Sequence, residues 1–158
     1  MTKEKAKKTT YEAEDIKELP FPDNVRHRST MYVGSTGIAG NTHLLREGRD
    51  NSIDEAINGH GNTIVIEVSN KKGSATIIDE GRGIPPEAIE TVFTKLHSSG
   101  KFEQGNYTVS GGLNGVGSSC INALSKRLIV EVKRKGFLYT MEFSKGHTVK
   151  KLTKKEIS

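Results

Sequence analysis

Tryptophan is absent from these 158 residues, cysteine occurs once, and no apolar run is long enough to cross a bilayer. Each absence removes a class. A single cysteine, Cys120, excludes an internal disulfide framework and a cysteine-based zinc site. It agrees with a reducing, cytoplasmic setting, and within an expected helix it reads as a small core residue. Met1 to Tyr11 has no apolar stretch of the kind a signal peptide needs, so neither a leader nor a membrane partner is expected. Aromatic residues make up 6% of the chain and hydrophobic ones 33%. That describes a polar globular domain, of a size able to bury about 70% of its unfolded surface around one core.

Lysine, by contrast, is abundant. The formal net charge is +5, and much of the basic excess lies at the ends, in Lys3, Lys5, Lys7, Lys8 and in Lys150, Lys151, Lys154 and Lys155. These runs have no interleaved aromatics and no reading helix, so they are taken as solvated tails. Charge alone does not make this a DNA-binding domain.

Residues 1–23 read as a lysine-rich tail and an arm from Tyr11 to Pro22, and the folded domain is expected over 24–158. Thr42 to Asn58 has the pattern of a helix, with Asn41 or Thr42 as cap and Gly59 as terminator. At about 100° per residue Glu47, Asn51, Asp54, Glu55 and Asn58 share one stripe, with Leu45, Ile53, Ala56 and Ile57 opposite. Thr63 to Ser69 and Ser74 to Ile78 alternate as two strands of a hairpin. Pro86 to Leu96 predicts a helix, Ser98 to Ser110 a polar loop suited to a lid, and Val116 to Leu124 a short helix. Arg127 to Arg134 and Phe137 to Ser144 form a second hairpin about Lys135-Gly136. Hairpins interleaved with helices predict an α+β two-layer sandwich, a mostly antiparallel sheet with helices on one face.

Three segments carry chemistry. Asp79-Glu80-Gly81-Arg82-Gly83-Ile84-Pro85 ends a strand in a sharp glycine turn, presenting a carboxylate able to accept a hydrogen bond from an exocyclic amine such as that of adenine. Ile84 and Pro85 add apolar surface for a planar base. Gly111-Gly112-Leu113-Asn114-Gly115-Val116-Gly117 opens a helix whose backbone N–H groups and positive end can receive phosphate oxygens. No Gly-Lys-Ser/Thr follows, and no parallel βαβ unit surrounds it. Glu47 and Asn51 lie one helical turn apart, which suits a general base for water beside an amide oxygen that helps hold Mg²⁺ between phosphates. Singly, each segment also fits a surface turn, an ordinary helix start or a solvated acidic face. In this order they describe an ATP site.

Read together, these residues resemble the GHKL ATPase superfamily, and within it the N-terminal ATPase domain of bacterial type IIA DNA topoisomerases (gyrase B and topoisomerase IV B). The resemblance rests on Val25-Arg26-His27-Arg28 with Met31-Tyr32-Val33-Gly34, on Asp50 to Ala56, and on Asp79 to Pro85. It extends through Leu96-His97-Ser98-Ser99-Gly100-Lys101-Phe102, Tyr107 to Gly117 and Asn122 to Ser125, covering Tyr11 to about Gly146. It implies the Bergerat fold, with Glu47 as general base, Asn51 as Mg²⁺ ligand and Asp79 as adenine reader. Glu55 and Arg82 would pair at the pocket edge beside Gly83, Ile84 and Pro85, with Arg134 at the rim. Lys101, Tyr107 and the stretch Gly112, Leu113, Asn114, Gly115, Val116, Gly117 and Ser118 would wrap the triphosphate. Tyr11 and Ile16 would belong to an arm that crosses to a second copy. A DNA-cleaving subunit and DNA would be met through regions outside this chain, and inhibitors of the ATP site would compete there.

Asn114 stands where such proteins usually have His, Gly48 and Arg49 stand where they have apolar residues, and the segment from Pro85 to Leu96 is shorter. The chain also stops at Ser158, before a Gly-Thr strand and a transducer domain that bears a phosphate-binding lysine. A fragment that binds nucleotide and hydrolyses it slowly is therefore expected. The expected function is ATP binding and hydrolysis for a type II topoisomerase, where binding drives dimerisation and clamp closure. The alternative is a nucleotide-dependent dimerisation module of a repair or chaperone clamp with little catalysis. A histidine kinase would need a phosphoacceptor His in a helical hairpin, and none of the five histidines has that setting.

Overall fold

The computed structural model describes residues 12–98 and 115–157. A 3₁₀ turn at Ala13–Asp15 leads into two five-residue helices, α1 (Asp23–His27) and α2 (Ser29–Val33), then into the long helix α3 (Ile38–Ile57). Strands β1 (Ile64–Ser69) and β2 (Ser74–Asp79) follow, then a 3₁₀ turn at Pro86–Ala88 running into α4 (Ile89–Thr94). Helix α5 (Gly117–Leu124) precedes β3 (Leu128–Arg134), β4 (Phe137–Ser144) and β5 (His147–Glu156).

Among the described residues all strand pairs are antiparallel, and they form two sheets, β1-β2 and β3-β4-β5. Two-residue turns set the register of the larger sheet. Lys135 and Gly136 have φ of 50° and 80°, and Lys145 and Gly146 have φ of 51° and 94°. Positive φ at both central positions gives a turn whose twist matches the strands it joins. Directly opposed residues share a face, so Ile77 and Asp79 of β2 look toward α3, where Ile77 Cδ1 would lie 2.6 Å from a Cβ on Gly48. Val65 and Ile78 pair on the other face and remain exposed. The result is the expected two-layer α+β arrangement.

Helix α5 is the wedge between two cores. Ile89, Val132, Met141 and Phe143 form one, beneath α4, with Phe93 and Phe143 rings 5.6 Å apart. Val25, Cys120 and Ala123 form the other, with Phe21, Tyr32, Leu44 and Leu96 against it. Short α1 is held by that burial and by Arg26 Nη1, which donates to the Ala123 carbonyl at 2.7 Å. Asn122, fully buried on α5, donates through Nδ2 to the Phe93 carbonyl (2.8 Å) and accepts from the Gly146 N–H (3.2 Å). One side chain thus ties α4, α5 and the β4–β5 turn together. Asn122→Ala strands two polar groups, and we expect a loss of about 3 kcal/mol. In thermal unfolding that is a drop of roughly 10 °C, and a shift under about 2 °C would show that water replaces the amide.

Several local expectations need correction. Helix α3 begins at Ile38, a turn earlier than Thr42, with Gly37 at its N-cap, and the Thr42 hydroxyl donates back to the Ile38 carbonyl instead of capping. Its end is as read: the Gly59 N–H donates to Ala56 and the His60 N–H to Glu55, with Gly59 at φ 83°. The apolar side of α3 is not its buried side, since Ile57 is 58% exposed while Gly40, Ser52 and Asp54 are buried. Pro86 to Leu96 is a 3₁₀ turn and a six-residue helix rather than one helix. The lysines from Lys150 to Lys155 are not tail but the body of β5.

Candidate functional site

Asp79, the last residue of β2, faces α3 and has both carboxylate oxygens engaged. Oδ2 accepts from the Ser52 hydroxyl at 2.7 Å, and Oδ1 accepts from the Gly81 N–H at 2.9 Å. The carboxylate is therefore held from two elements, which fixes where its remaining lone pairs point. Gly81 is needed for closeness, because a Cβ there would lie 2.8 Å from Asp79 Oδ1 and 2.9 Å from Glu55 Cγ.

The turn that follows is clamped from both sides. Glu55, a turn beyond Asn51 on α3, accepts from the Arg82 backbone N–H (2.9 Å), from Arg82 Nε (3.1 Å) and from Arg82 Nη2 (2.9 Å). A bidentate pair of this kind fixes geometry as well as charge. From the larger sheet, Arg134 Nη1 donates to the carbonyls of Gly83 (2.8 Å) and Arg82 (3.3 Å). Gly83 has φ 71°, and a Cβ there would lie 2.6 Å from Val132 Cγ1, so this position requires glycine twice over. Ile84 packs partly into the core beneath α4, and Pro85 is exposed.

Glu47 stands one turn before Asn51, against the start of α5. A Cβ on Gly117 would press on Glu47 Oε2, and lies 3.3 Å from Glu47 Cβ. His43 Nε2 is 3.5 Å from Glu47 Oε1, an i,i+4 contact along the helix. Asn51 Nδ2 donates to the Ser118 hydroxyl at 3.4 Å, joining α3 to the first turn of α5. Burial first and the negative Glu47 second push the Cys120 thiol up to about 11, so it stays protonated at neutral pH and serves as core.

The structure thus brings together Glu47, Asn51, Glu55, Asp79, Arg82, Gly83, Ile84, Pro85, Gly117, Ser118 and Arg134, contributed by α3, the turn after β2, the start of α5 and the end of β3. Gly115, at φ 62°, leads into α5 with Val116 at its N-cap, and its carbonyl accepts from the Ser98 N–H at 3.2 Å. Lys101, Tyr107, Gly112, Leu113 and Asn114, with Tyr11 of the arm, lie outside the described residues. The sequence reading passed over Ser52 and His43. His43 had a signal: it precedes Glu47 by four residues and falls on the same stripe. Ser52 had little, because its partner is distant in sequence.

The donor set suits a magnesium ion that arrives with phosphates. Among the described residues no group of three or more His, Cys, Asp or Glu could hold a metal ion. Mg²⁺ seldom uses such a cage; it keeps several waters and takes one or two protein oxygens beside substrate phosphates.

Comparison with known proteins adds the following. The family model described as histidine kinase-, DNA gyrase B-, and HSP90-like ATPase matches residues 39–152. DNA gyrase B of Thermus thermophilus is 47% identical over 151 residues, covering 90% of this chain and 24% of that protein. DNA topoisomerase 4 B of Staphylococcus aureus is 46% identical over 147 residues, covering 89% of this chain and 22% of that one. The crystal structure of the 43K ATPase domain of Thermus thermophilus gyrase B in complex with an aminocoumarin superposes with a TM-score of 0.69 at 37% identity, over 85% of this chain and 34% of that one. The chain therefore spans about a quarter of the length of these protein relatives.

Proposed function

Because this chain belongs to the family of histidine kinase-, DNA gyrase B-, and HSP90-like ATPases, we propose that it is the ATP-binding and hydrolysing part of a type II DNA topoisomerase of the gyrase B or topoisomerase IV B kind. The observation that carries the reading is the placement of Asp79. It is fixed by Ser52 and Gly81 at the mouth of a turn that Glu55 and Arg134 hold open, with Glu47 at the neighbouring helix start.

The adenine amine donates to Asp79, with Ile84 and Pro85 beside the ring. Phosphates reach the start of α5, where the first backbone N–H groups of the helix have no intrahelical partner. Lys101, Tyr107, Gly112, Leu113, Asn114, Gly115, Val116, Gly117 and Ser118 supply the enclosing contacts. Glu47 accepts a proton from a water as that water attacks the γ-phosphorus, and the bond to the departing ADP oxygen breaks. His43 orients the Glu47 carboxylate. Gly117 leaves it room. Asn51 is the protein oxygen offered to Mg²⁺, which when bound neutralises phosphate charge.

In the longer protein, binding closes a dimer through the arm that includes Tyr11 and Ile16, and Ile16 is 67% exposed here, as a residue awaiting a partner surface would be. A DNA-cleaving subunit and DNA are met through other regions. Inhibitors of the ATP site would compete at the Asp79 turn. A cytoplasmic site of action follows from bacterial DNA as the substrate of the longer protein. No helix among the described residues is long and apolar enough to cross a membrane.

Calorimetric titration of the chain with a non-hydrolysable ATP analogue and Mg²⁺ tests the reading. We expect saturable binding at one site per chain, with the adenine analogue preferred over its guanine counterpart. Absence of saturable heat would overturn it.

A further inference from the structure

We propose that Ser118 is a positioning residue for Asn51: its hydroxyl takes the amide NH₂ and so fixes which way Oδ1, the oxygen offered to Mg²⁺, is presented. The inference rests on the nucleotide reading above and adds to it a residue that acts through Asn51.

Two serines stand side by side in the first turn of α5 and behave differently. A serine in a helix tends to hydrogen-bond its own backbone, and Ser119 does so: fully buried, it donates through Oγ to the Val116 carbonyl at 3.0 Å. Ser118, half-buried, reaches across to α3 instead, where its Oγ accepts from Asn51 Nδ2 at 3.4 Å. Among the described residues its own O–H donates to no protein acceptor. At that length the bond steers the amide more than it anchors the helices. The helices meet without it: a Cβ on Gly117 would press on Glu47 Oε2, and one on Gly48 would lie 3.6 Å from Ile121 Cδ1. Packing of α3 on α5 therefore does not require a hydroxyl at this position.

The chemistry of an amide makes that steering matter. Asparagine carries a donor on one arm and an acceptor on the other, and a half-turn of the side-chain end exchanges them. Only one orientation suits a hard cation, which takes oxygen and is repelled by the NH₂ protons. A hydroxyl alone serves either orientation, because it both donates and accepts. A phosphate oxygen at the start of α5 breaks the tie: it accepts only, so it takes the Ser118 proton and leaves Ser118 with lone pairs for Asn51. The amide must then give its NH₂ to Ser118 and hold Oδ1 on its other arm. Arrival of the phosphates thereby sets the metal ligand.

The test is the calorimetric affinity of the chain for a non-hydrolysable ATP analogue, measured with excess Mg²⁺ and with EDTA, so that the ratio of the two gives the contribution of the metal. Ser118→Ala should reduce that ratio about fivefold, the worth of one ordinary hydrogen bond. Ser118→Thr, which keeps the hydroxyl, should hold the ratio within about twofold of the parent. Should the alanine variant fold poorly, Ser118→Val against Ser118→Thr compares the same shape with and without the hydroxyl and should show the same fivefold difference. In an Asn51→Asp background, whose carboxylate has two equivalent oxygens and no arm to misplace, Ser118→Ala should change the ratio by less than about twofold. That background separates positioning from direct contact, because a hydroxyl touching the ion or its waters would lose the same factor in both. An equal loss of the ratio in the two backgrounds overturns the proposal. So does a ratio that Ser118→Ala leaves unchanged, or a loss of affinity that is the same with Mg²⁺ and with EDTA. Absence of saturable heat from the parent chain in both buffers overturns the nucleotide reading itself, and this inference with it.

Discussion

Glu47→Gln is expected to lower ATP turnover by about 10²- to 10⁴-fold, the usual contribution of a positioned general base, while nucleotide affinity stays within about threefold of the parent. The substitution keeps the shape of the side chain. Its amide fits the space left by Gly117 and remains within reach of His43. It loses the ability to take a proton. Parallel measurements of phosphate release and calorimetric affinity separate the two effects. Turnover within about fivefold of the parent would show that another group accepts the proton and would remove Glu47 from the chemistry. Loss of binding together with turnover would show that the carboxylate anchors the nucleotide instead.

Asp79→Asn should weaken adenine nucleotide binding by at least about 30-fold, the equivalent of roughly 2 kcal/mol for a hydrogen bond to a charged acceptor. The native carboxylate accepts from Ser52 and from the Gly81 N–H and has lone pairs left for a third donor. An asparagine has one acceptor oxygen. If that oxygen keeps the Gly81 N–H, the amide NH₂ faces either Ser52, whose hydroxyl can turn to accept, or the adenine amine, which cannot. The fold should survive, because the serine provides the compensating acceptor. Calorimetry with the ATP analogue, with a melting curve as control, gives the answer. Undiminished affinity in a folded variant would mean that adenine is read elsewhere.

Legibility in the sequence followed physical cause. The hairpins β1-β2 and β3-β4 could be read because strand alternation and the two-residue turn at Lys135-Gly136 are local signals, whereas the equivalent turn at Lys145-Gly146 went unread with β5. The Asp79 turn and the start of α5 were legible for the same reason: glycine appears where the backbone needs it. Helix α3 was harder. The side that faces β2 carries Gly48 and Ser52, set against Ile77 and the Asp79 carboxylate, so a search for an apolar stripe misses it. Gly48, costing about 1 kcal/mol in helix propensity, looked like a defect. It is the place where Ile77 of β2 sits against the helix. Strand β5 was hidden because a strand that is exposed along most of its length shows no hydrophobic alternation. The short helices α1 and α2 depend on distant burial of Val25 and Val33, which no local window contains.

The two sheets have separate hydrogen-bond ladders among the described residues, and at the Asp79–Pro85 turn their connection passes through Arg134 and through Val132 against Gly83. Mechanically, that turn is a weld between two plates rather than part of either one. Strain applied to one sheet reaches the other at this point through two carbonyl oxygens and one methyl group. A molecule resting there would act as a rivet, and the stiffness of the whole domain would then report whether the joint is filled.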